Sequence, residues 1–235
     1  MNGLAVIFDM DGVLVDSYWP HYQAWKLIAH KHGLPITEEQ FAAAFGKTGP
    51  DFIRQLWSDR VGEDRIVPLD SEKEELYRQV LRENFPAMKG VSDLIRGLHQ
   101  AGFALAIGSS GAPANIQVVR ECLSGAECFS ATVCGADVTR GKPDPEIFLL
   151  AAQRLGISPK DTAVIEDSPV GIQAALAARM TAVAITGTAE RKFLADAHII
   201  VDWMMELSPE LLTLLIRNNP LRKKPNGSPL LARQA

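Results

Sequence analysis

The sequence has 235 residues, of which 47% are hydrophobic and 22% are charged. This is the composition of a globular protein, and it excludes a disordered chain or a small disulfide-stapled domain. Its 24 lysines and arginines against 28 aspartates and glutamates give a net charge of −4, so the chain has no overall attraction to nucleic acid or to an anionic membrane. We therefore expect a small solute as its partner, and neither nucleic acid nor a membrane.

The three cysteines, Cys122, Cys128 and Cys134, form no CxxC pair and have no histidine nearby at ligand spacing. This pattern excludes a disulfide framework and a zinc site. The apolar run Leu4 to Phe8 is too short for a signal segment, and no apolar stretch approaches the roughly 20 residues that span a bilayer. We expect a cytoplasmic protein, and the sequence indicates no oligomeric state.

Six short apolar runs predict strands that are buried on both faces. Most are separated by stretches of helical period at 91–100, 113–123, 145–155 and 169–178, an alternation that predicts a parallel sheet with right-handed crossovers. The runs are Leu4 to Phe8, Phe103 to Ile107, Ala131 to Val133, Thr162 to Ile165, Ala182 to Ile185 and His198 to Val201.

The segment from about Tyr18 to Ala87 interrupts this alternation of strands and helices. It contains four helical patterns, at 18–32, 37–45, 50–59 and 71–84, and no convincing strand. Thr37 and Gln40 fit a capping box, and a tight turn at 46–50 joins two of the helices. We therefore predict a helical insertion here, and after Pro209 a last surface helix, followed from Asn218 by a frayed tail that includes the basic run 222–224.

Ligands of a parallel sheet collect outside the carboxyl ends of its strands. The residues that follow the predicted strands are strongly polar, with four carboxylates, two hydroxyls and one ammonium. Carboxylates that close together need a cation, and sites made of oxygen ligands suit Mg²⁺. We therefore expect bound Mg²⁺ among these residues: Asp9, Asp11, Ser109, Ser110, Lys142, Glu166 and Asp167.

The sequence contains no GxSxG, no GxxxxGK[ST] and no GxGxxG, which excludes the usual serine-hydrolase, P-loop and dinucleotide sites. A carboxylate nucleophile remains. Asp9 is placed to attack a phosphoryl group held by Mg²⁺, Ser109 and Lys142, and Asp11, two residues further on, to protonate the leaving oxygen.

These residues resemble the four motifs of the haloacid dehalogenase superfamily, in order along the chain. The resemblance covers residues 4 to about 205, and the runs Phe8 to Ser17 and Val164 to Ile172 are similar to the β-phosphoglucomutase and phosphoglycolate-phosphatase subgroup. It implies a Rossmann-like α/β core, with a parallel sheet, helices on both faces and a central first strand, plus an inserted helical-bundle cap. The implied division is residues 1–17 and 88–205 as the core, 18–87 as the cap, and 206–235 as a C-terminal helix and flexible tail.

The resemblance also implies roles for individual residues. Asp9 would be the nucleophile and a metal ligand, and Asp11 the acid and base with its carbonyl on the metal. Ser109 and Lys142 would bind phosphate, and Asp167 together with Glu166 would anchor the metal.

Three further residues, His21, Lys47 and Ser110, are candidates for the substrate side of the site. His21 is expected near Asp11, although packing at the junction of cap and core is its alternative. Lys47 lies in the cap turn that we expect to reach the site. Ser110 either contacts substrate or caps the following helix, and Lys73, on a charged helix, is expected to be solvated.

The leading interpretation is a Mg²⁺-dependent phosphatase acting on a small phosphorylated metabolite, of the sugar-phosphate or phosphoglycolate type, through an aspartyl-phosphate. The alternative is a phosphomutase, but that subgroup carries an arginine three residues after the cap-turn glycine, where this chain has Gly49. Dehalogenation is disfavoured because that branch lacks a partner like Asp11 and needs no metal. A binding module without catalysis would have no reason to keep these residues together.

Overall fold

Six parallel strands form one sheet in the order β3-β2-β1-β4-β5-β6. The structure is a computed structural model that describes residues 3–222. Because β1 lies between β2 and β4, the expected central position of the first strand is confirmed. The strands are β1 (Ala5–Phe8), β2 (Ala104–Gly108), β3 (Phe129–Val133), β4 (Thr162–Glu166), β5 (Thr181–Ile185) and β6 (Ile199–Val201).

Helices cover both faces of the sheet. Side chains alternate along each strand, so Val6 and Phe8 of β1 point into one core cluster, while Ile7 points into the other. The first cluster is closed by α5 (Val91–Gln100), α6 (Pro113–Cys122) and α9 (Pro209–Asn218), and the second by α7 (Glu146–Leu155) and α8 (Pro169–Ala177). The predicted α/β fold class is confirmed.

Four helices lie between β1 and α5: α1 (Tyr18–His32), α2 (Glu38–Ala44), α3 (Gly49–Trp57) and α4 (Glu63–Glu83). They share a hydrophobic cluster of their own, in which the rings of Trp25 and Phe52 stack with their centroids 4.2 Å apart. The predicted capping box is present, since the Thr37 hydroxyl accepts from the Gln40 backbone and the Gln40 side chain accepts from the Thr37 backbone.

Four helix starts differ from the prediction, those of α2, α3 and α7 by one residue each and that of α4 by eight. Helix α4 begins at Glu63 instead of residue 71, and it contains Pro68. Proline normally breaks a helix interior, which is why the pattern suggested a later start; near the N-terminus it costs one hydrogen bond, and apolar contacts on both sides continue the helix. Helix α7 begins at Glu146, one residue after Pro145, although the Asp144 carboxylate still accepts from the Glu146 backbone.

The predicted tail begins too early. Asn219, directly after α9, is buried: its Nδ2 donates to the Thr181 hydroxyl, and its Oδ1 accepts from Nε2 of the His198 ring. A short 3₁₀ turn follows at Pro220–Arg222. The rest of the predicted tail, including Lys223 and Lys224 of the basic run, lies outside the described residues. Within residues 3–222, no helix combines the length and apolarity needed to cross a bilayer.

Candidate active site

A cavity of about 630 Å³ lies between the carboxyl ends of the central strands and the helices α1–α4. The structure brings every residue proposed from the sequence as a site residue to the wall of this cavity. They are Asp9, Asp11, His21, Lys47, Ser109, Ser110, Lys142, Glu166 and Asp167.

Three buried carboxylates form the base of the cavity. Asp9 follows β1, Glu166 ends β4 and Asp167 comes next, and an oxygen from each lies within 4.8 Å of the others. Burial raises the pKa of Asp9 to about 7, with Lys142 opposing the shift and Glu166 adding to it. Burial, followed by the charges of Glu166 and Asp9, raises the pKa of Asp167 well above its usual range. The cluster therefore holds more negative charge than it can stabilise alone.

Lys142 supplies part of the missing positive charge. Its Nζ lies 2.6 Å from Asp9 Oδ1 and 2.7 Å from Glu166 Oε1, and its side chain is 7% exposed. Against the effect of burial, these two carboxylates hold the pKa of Lys142 above its usual value. Although burial acts in the opposite direction, Lys142 and hydrogen bonds from Ser168 hold the pKa of Glu166 below its usual value. Lys142 is therefore a fixed, fully charged group beside Asp9.

The chemistry of this donor set fits a divalent cation. With all three carboxylates ionised, the single ammonium would leave a net charge of −2 in a buried space, which a divalent cation would neutralise. Hard oxygen ligands are those that Mg²⁺ prefers. Glu166 differs from the other two, because its Oε2 already accepts from the backbone of Asp167 and Ser168 and from the Ser168 hydroxyl. Asp9 and Asp167 are thus the better direct ligands, with Glu166 in support.

Two glycines make room for these carboxylates. A Cβ at Gly12 would lie 2.0 Å from Asp167 Oδ2. The backbone there has φ +72°, a conformation that residues other than glycine rarely adopt. A Cβ at Gly171, in the first turn of α8, would lie 1.8 Å from Glu166 Oε1. A larger residue at either position would displace a carboxylate of the cluster.

Asp11 is held by groups from the inserted helices. The Tyr77 hydroxyl donates to Asp11 Oδ1 at 3.2 Å, and His21 Nε2 lies 3.8 Å from the same oxygen. Against the effect of burial, hydrogen bonds from His21, Ser17 and Tyr77 hold the pKa of Asp11 below its usual value. Asp11 is therefore ionised while the cavity contains no phosphoryl group.

The prediction that Lys73 is solvated is wrong. Lys73 is 4% exposed, and its Nζ lies 2.6 Å from Glu74 Oε1 and 2.9 Å from His21 Nδ1. Burial, followed by the Lys73 charge, lowers the pKa of His21, so the ring is neutral at pH 7 and Nδ1 accepts from the ammonium. The proton of the ring is then on Nε2, which faces Asp11. Lys73 was mistaken for a surface residue because most of its neighbours on α4 are charged.

The serines and Lys47 occupy different parts of the wall. Ser109 is buried directly after β2, and its hydroxyl accepts from the Gly111 backbone at 3.0 Å. Ser110 is exposed, and it does not cap the next helix, which has Ala112 at its N-cap. Lys47 lies in the turn between α2 and α3 and lines the cavity.

Sequence reasoning did not find several polar residues of the wall. One of these is Asp70, on α4, whose charged sequence is typical of a solvated helix and gave no sign of a site. Thr188 follows β5 and hydrogen-bonds Asp167, and its position after a strand was a usable signal. Others include Thr48, Glu74 and Asn115, which line the cavity, and Tyr77, which reaches the site through Asp11.

Comparisons with known proteins agree with this geometry. A family model described as haloacid dehalogenase-like hydrolase matches residues 4–179. Hexitol phosphatase A of Escherichia coli is 28% identical over 96% of this chain and 97% of its own length, and beta-phosphoglucomutase of Bacillus subtilis is 30% identical over 88% and 93%. A solved structure, a HAD hydrolase of family IA, variant 3, from Entamoeba histolytica, is 27% identical with a TM-score of 0.81, covering 92% of this chain and 100% of its own.

Proposed function

The chain belongs to the haloacid dehalogenase-like hydrolase family, and we propose that it is a Mg²⁺-dependent phosphatase that hydrolyses a small phosphorylated metabolite through an aspartyl-phosphate on Asp9. The observation that carries the proposal is the position of Asp9. It is buried at the end of the central strand, 2.6 Å from the Lys142 ammonium and next to the carboxylates of Glu166 and Asp167.

In the first step, a carboxylate oxygen of Asp9 attacks phosphorus, and the bond from phosphorus to the leaving oxygen breaks. Lys142 and the Ser109 hydroxyl bind the oxygens of the transferred group and stabilise the charge that develops on them. Asp9 and Asp167 would hold Mg²⁺, which would supply further positive charge at this position.

Asp11 moves the proton in both steps. The charge of an incoming phosphoryl group raises the pKa of Asp11, so this carboxyl takes up a proton as substrate binds and gives it to the leaving oxygen. In the second step Asp11 accepts a proton from the water that attacks phosphorus, and the Asp9 carboxylate is released. Tyr77 and the Nε2 proton of His21 fix the orientation of the Asp11 carboxyl throughout.

Residues 18–87 are proposed as a cap that covers the leaving group. The turn at 46–49 lines the same cavity as the carboxylate cluster, and in this proposal the leaving group lies against that turn. A sugar phosphate or phosphoglycolate fits the available volume, and hexitol phosphatase A is one of the relatives. A closed cap would exclude bulk water while the aspartyl-phosphate forms.

A phosphomutase is the second candidate, and the similarity to beta-phosphoglucomutase of Bacillus subtilis favours it. A mutase uses the same chemistry at Asp9 but returns the phosphoryl group to another hydroxyl of the bound sugar. It must therefore hold a second phosphate, and Gly49 stands at the position where the mutase subgroup has an arginine.

The test is a screen of phosphorylated metabolites for phosphate release with Mg²⁺, together with an assay for phosphoryl transfer between the hydroxyls of a hexose phosphate. Phosphate release without transfer supports the phosphatase. Transfer faster than release would replace it with the mutase, and activity unaffected by chelation of Mg²⁺ would contradict the proposed cofactor.

A further inference from the structure

One side of α4 lines the cavity, and it carries Asp70, Lys73 and Glu74. Lys73 and Glu74 follow Asp70 by three and four residues, so both lie on the same side of the helix as Asp70. The Lys73 ammonium already has partners in Glu74 and His21, and it also lies 5.2 Å from the centre of the Trp25 ring. Lys73 is thus largely neutralised before any ligand enters.

Asp70 has a carboxylate oxygen that is not satisfied. Its Oδ1 is buried and accepts no hydrogen bond from a side chain or backbone group of the described residues. The carboxylate packs across Gly49, where a Cβ would lie 1.7 Å from Oδ1. This chain therefore has a carboxylate against the turn position at which the mutase subgroup has an arginine, and the charge there is reversed.

Glu74 is held in one orientation by hydrogen bonds from two helices, α4 and α6. Its Oε1 accepts from Lys73 at 2.6 Å, and its Oε2 accepts from Asn115 Nδ2 of helix α6, also at 2.6 Å. Asn115 is fixed in turn by Arg78, which donates to its Oδ1 at 3.0 Å. Each carboxylate oxygen has a second lone pair, so Glu74 can accept a further hydrogen bond from a ligand.

We infer that Asp70 and Glu74 determine specificity by accepting hydrogen bonds from the hydroxyl groups of an uncharged, polyhydroxylated leaving group. An ionised carboxylate accepts from a hydroxyl but repels a second phosphate or a carboxylate on the substrate. The preferred substrates are then monophosphates of sugars or polyols, in preference to bisphosphates and phosphoglycolate. The inference rests on the proposed phosphatase function.

The experiment compares kcat/KM for sorbitol 6-phosphate and for phosphoglycolate, with p-nitrophenyl phosphate as a reference that has no aliphatic hydroxyl. Wild type should prefer sorbitol 6-phosphate. Asp70→Asn and Glu74→Gln should each lower that preference about tenfold, the usual size of one hydrogen bond to a charged group. The preference is a ratio of two kcat/KM values, so a loss that Glu74→Gln causes through Lys73 and His21 acts on both substrates and cancels. Turnover of the reference reports any such loss separately. Melting curves check that each variant is folded.

Two kinds of control distinguish the effect of a carboxylate's position in the cavity from the effect of removing a negative charge from α4. Asp64→Asn and Glu83→Gln make the same changes at exposed positions of α4 outside the cavity wall, and they should leave the preference unchanged. Gly49→Ala keeps every charge but displaces the Asp70 carboxylate, so it should lower the preference as Asp70→Asn does. This variant provides the test if Asp70→Asn does not fold.

The two levels of the proposal fail in different ways. If the reference is hydrolysed but wild type favours phosphoglycolate, or the cavity variants behave like their exposed controls, the inference alone is overturned. If none of the three substrates is hydrolysed with Mg²⁺ present, the phosphatase function is overturned and the inference with it.

Discussion

The Tyr77 hydroxyl donates a hydrogen bond to Oδ1 of Asp11 across 3.2 Å, and so joins helix α4 to the loop after the central strand. Tyr77 is fully buried, and its ring stacks on His21 with the centroids 3.8 Å apart. The proposed acid and base is thus positioned by the inserted helices, although its own chain segment belongs to the sheet.

Tyr77→Phe should lower kcat about tenfold with a small change in KM, because it removes one hydrogen bond that orients Asp11 and leaves the ring packing in place. Steady-state kinetics on p-nitrophenyl phosphate measure the effect. Tyr22→Phe is the control, since it removes a hydroxyl from α1 outside the cavity wall. Equal losses in both variants would show that Tyr77 has no specific effect on Asp11.

Mg²⁺ should raise the melting temperature of the wild-type protein, because a cation that binds only the folded state stabilises it. The shift should be smaller in Asp167→Asn, which removes an anionic ligand, and activity of that variant should partly return at high Mg²⁺. Asp196→Asn, an exposed position, is the matched control. Differential scanning fluorimetry across a Mg²⁺ titration gives the comparison, and equal shifts in Asp167→Asn and wild type would exclude Asp167 as an anchor.

Lys142→Ala should lower kcat for every substrate, because its ammonium acts on the phosphoryl group that all of them share. Lys47→Ala should instead change KM and the order of preference, since Lys47 lies in the turn that is proposed to cover the leaving group. Measurements of kcat/KM on several sugar phosphates and on acetyl phosphate distinguish the two. A uniform loss in Lys47→Ala, including the loss on acetyl phosphate, would mean that the turn takes part in the chemistry.

The environment of Asp137 predicts how the folding stability of the protein depends on pH. Hydrogen bonds from Arg154 and from the backbone and thiol of Cys134 hold the pKa of Asp137 well below its usual value. A depressed folded-state pKa contributes stability above the unfolded pKa of about 3.9, and this contribution is lost as the pH falls through the folded value. Asp137→Asn should therefore melt earlier than wild type at pH 7, and the gap should narrow in acid. A constant gap between pH 7 and pH 2 would contradict this.

The sheet and the strand-end residues were predictable because their signals are local. Each strand is a short apolar run, as in Ala5–Phe8, and parallel strands bring their carboxyl ends to one edge of the sheet. That rule places Asp9, Ser109 and Glu166 together although they are far apart in the chain.

The α4 side of the cavity was not predictable in the same way. Glu74 and Tyr77 lie on a helix whose charged sequence is that of a solvated surface, and only the packing of α4 against α1 and α6 turns one face inward. The same packing buries Lys73, which has no local sign of burial. The Asp70 carboxylate packs against Gly49, which lies 21 positions away in the chain, and a contact of this kind cannot be predicted from a local sequence pattern.

The central claim is that Asp9 carries the phosphoryl group, and the most direct measurement is peptide mass spectrometry after acid quench during turnover. The account predicts one added phosphoryl group on the peptide that contains Asp9, and in Asp9→Asn neither the adduct nor turnover, with an unchanged melting curve, because the amide is a far poorer nucleophile of nearly the same size. An adduct on another residue such as His21, or an Asp9→Asn variant that keeps even a tenth of wild-type turnover, would contradict the account.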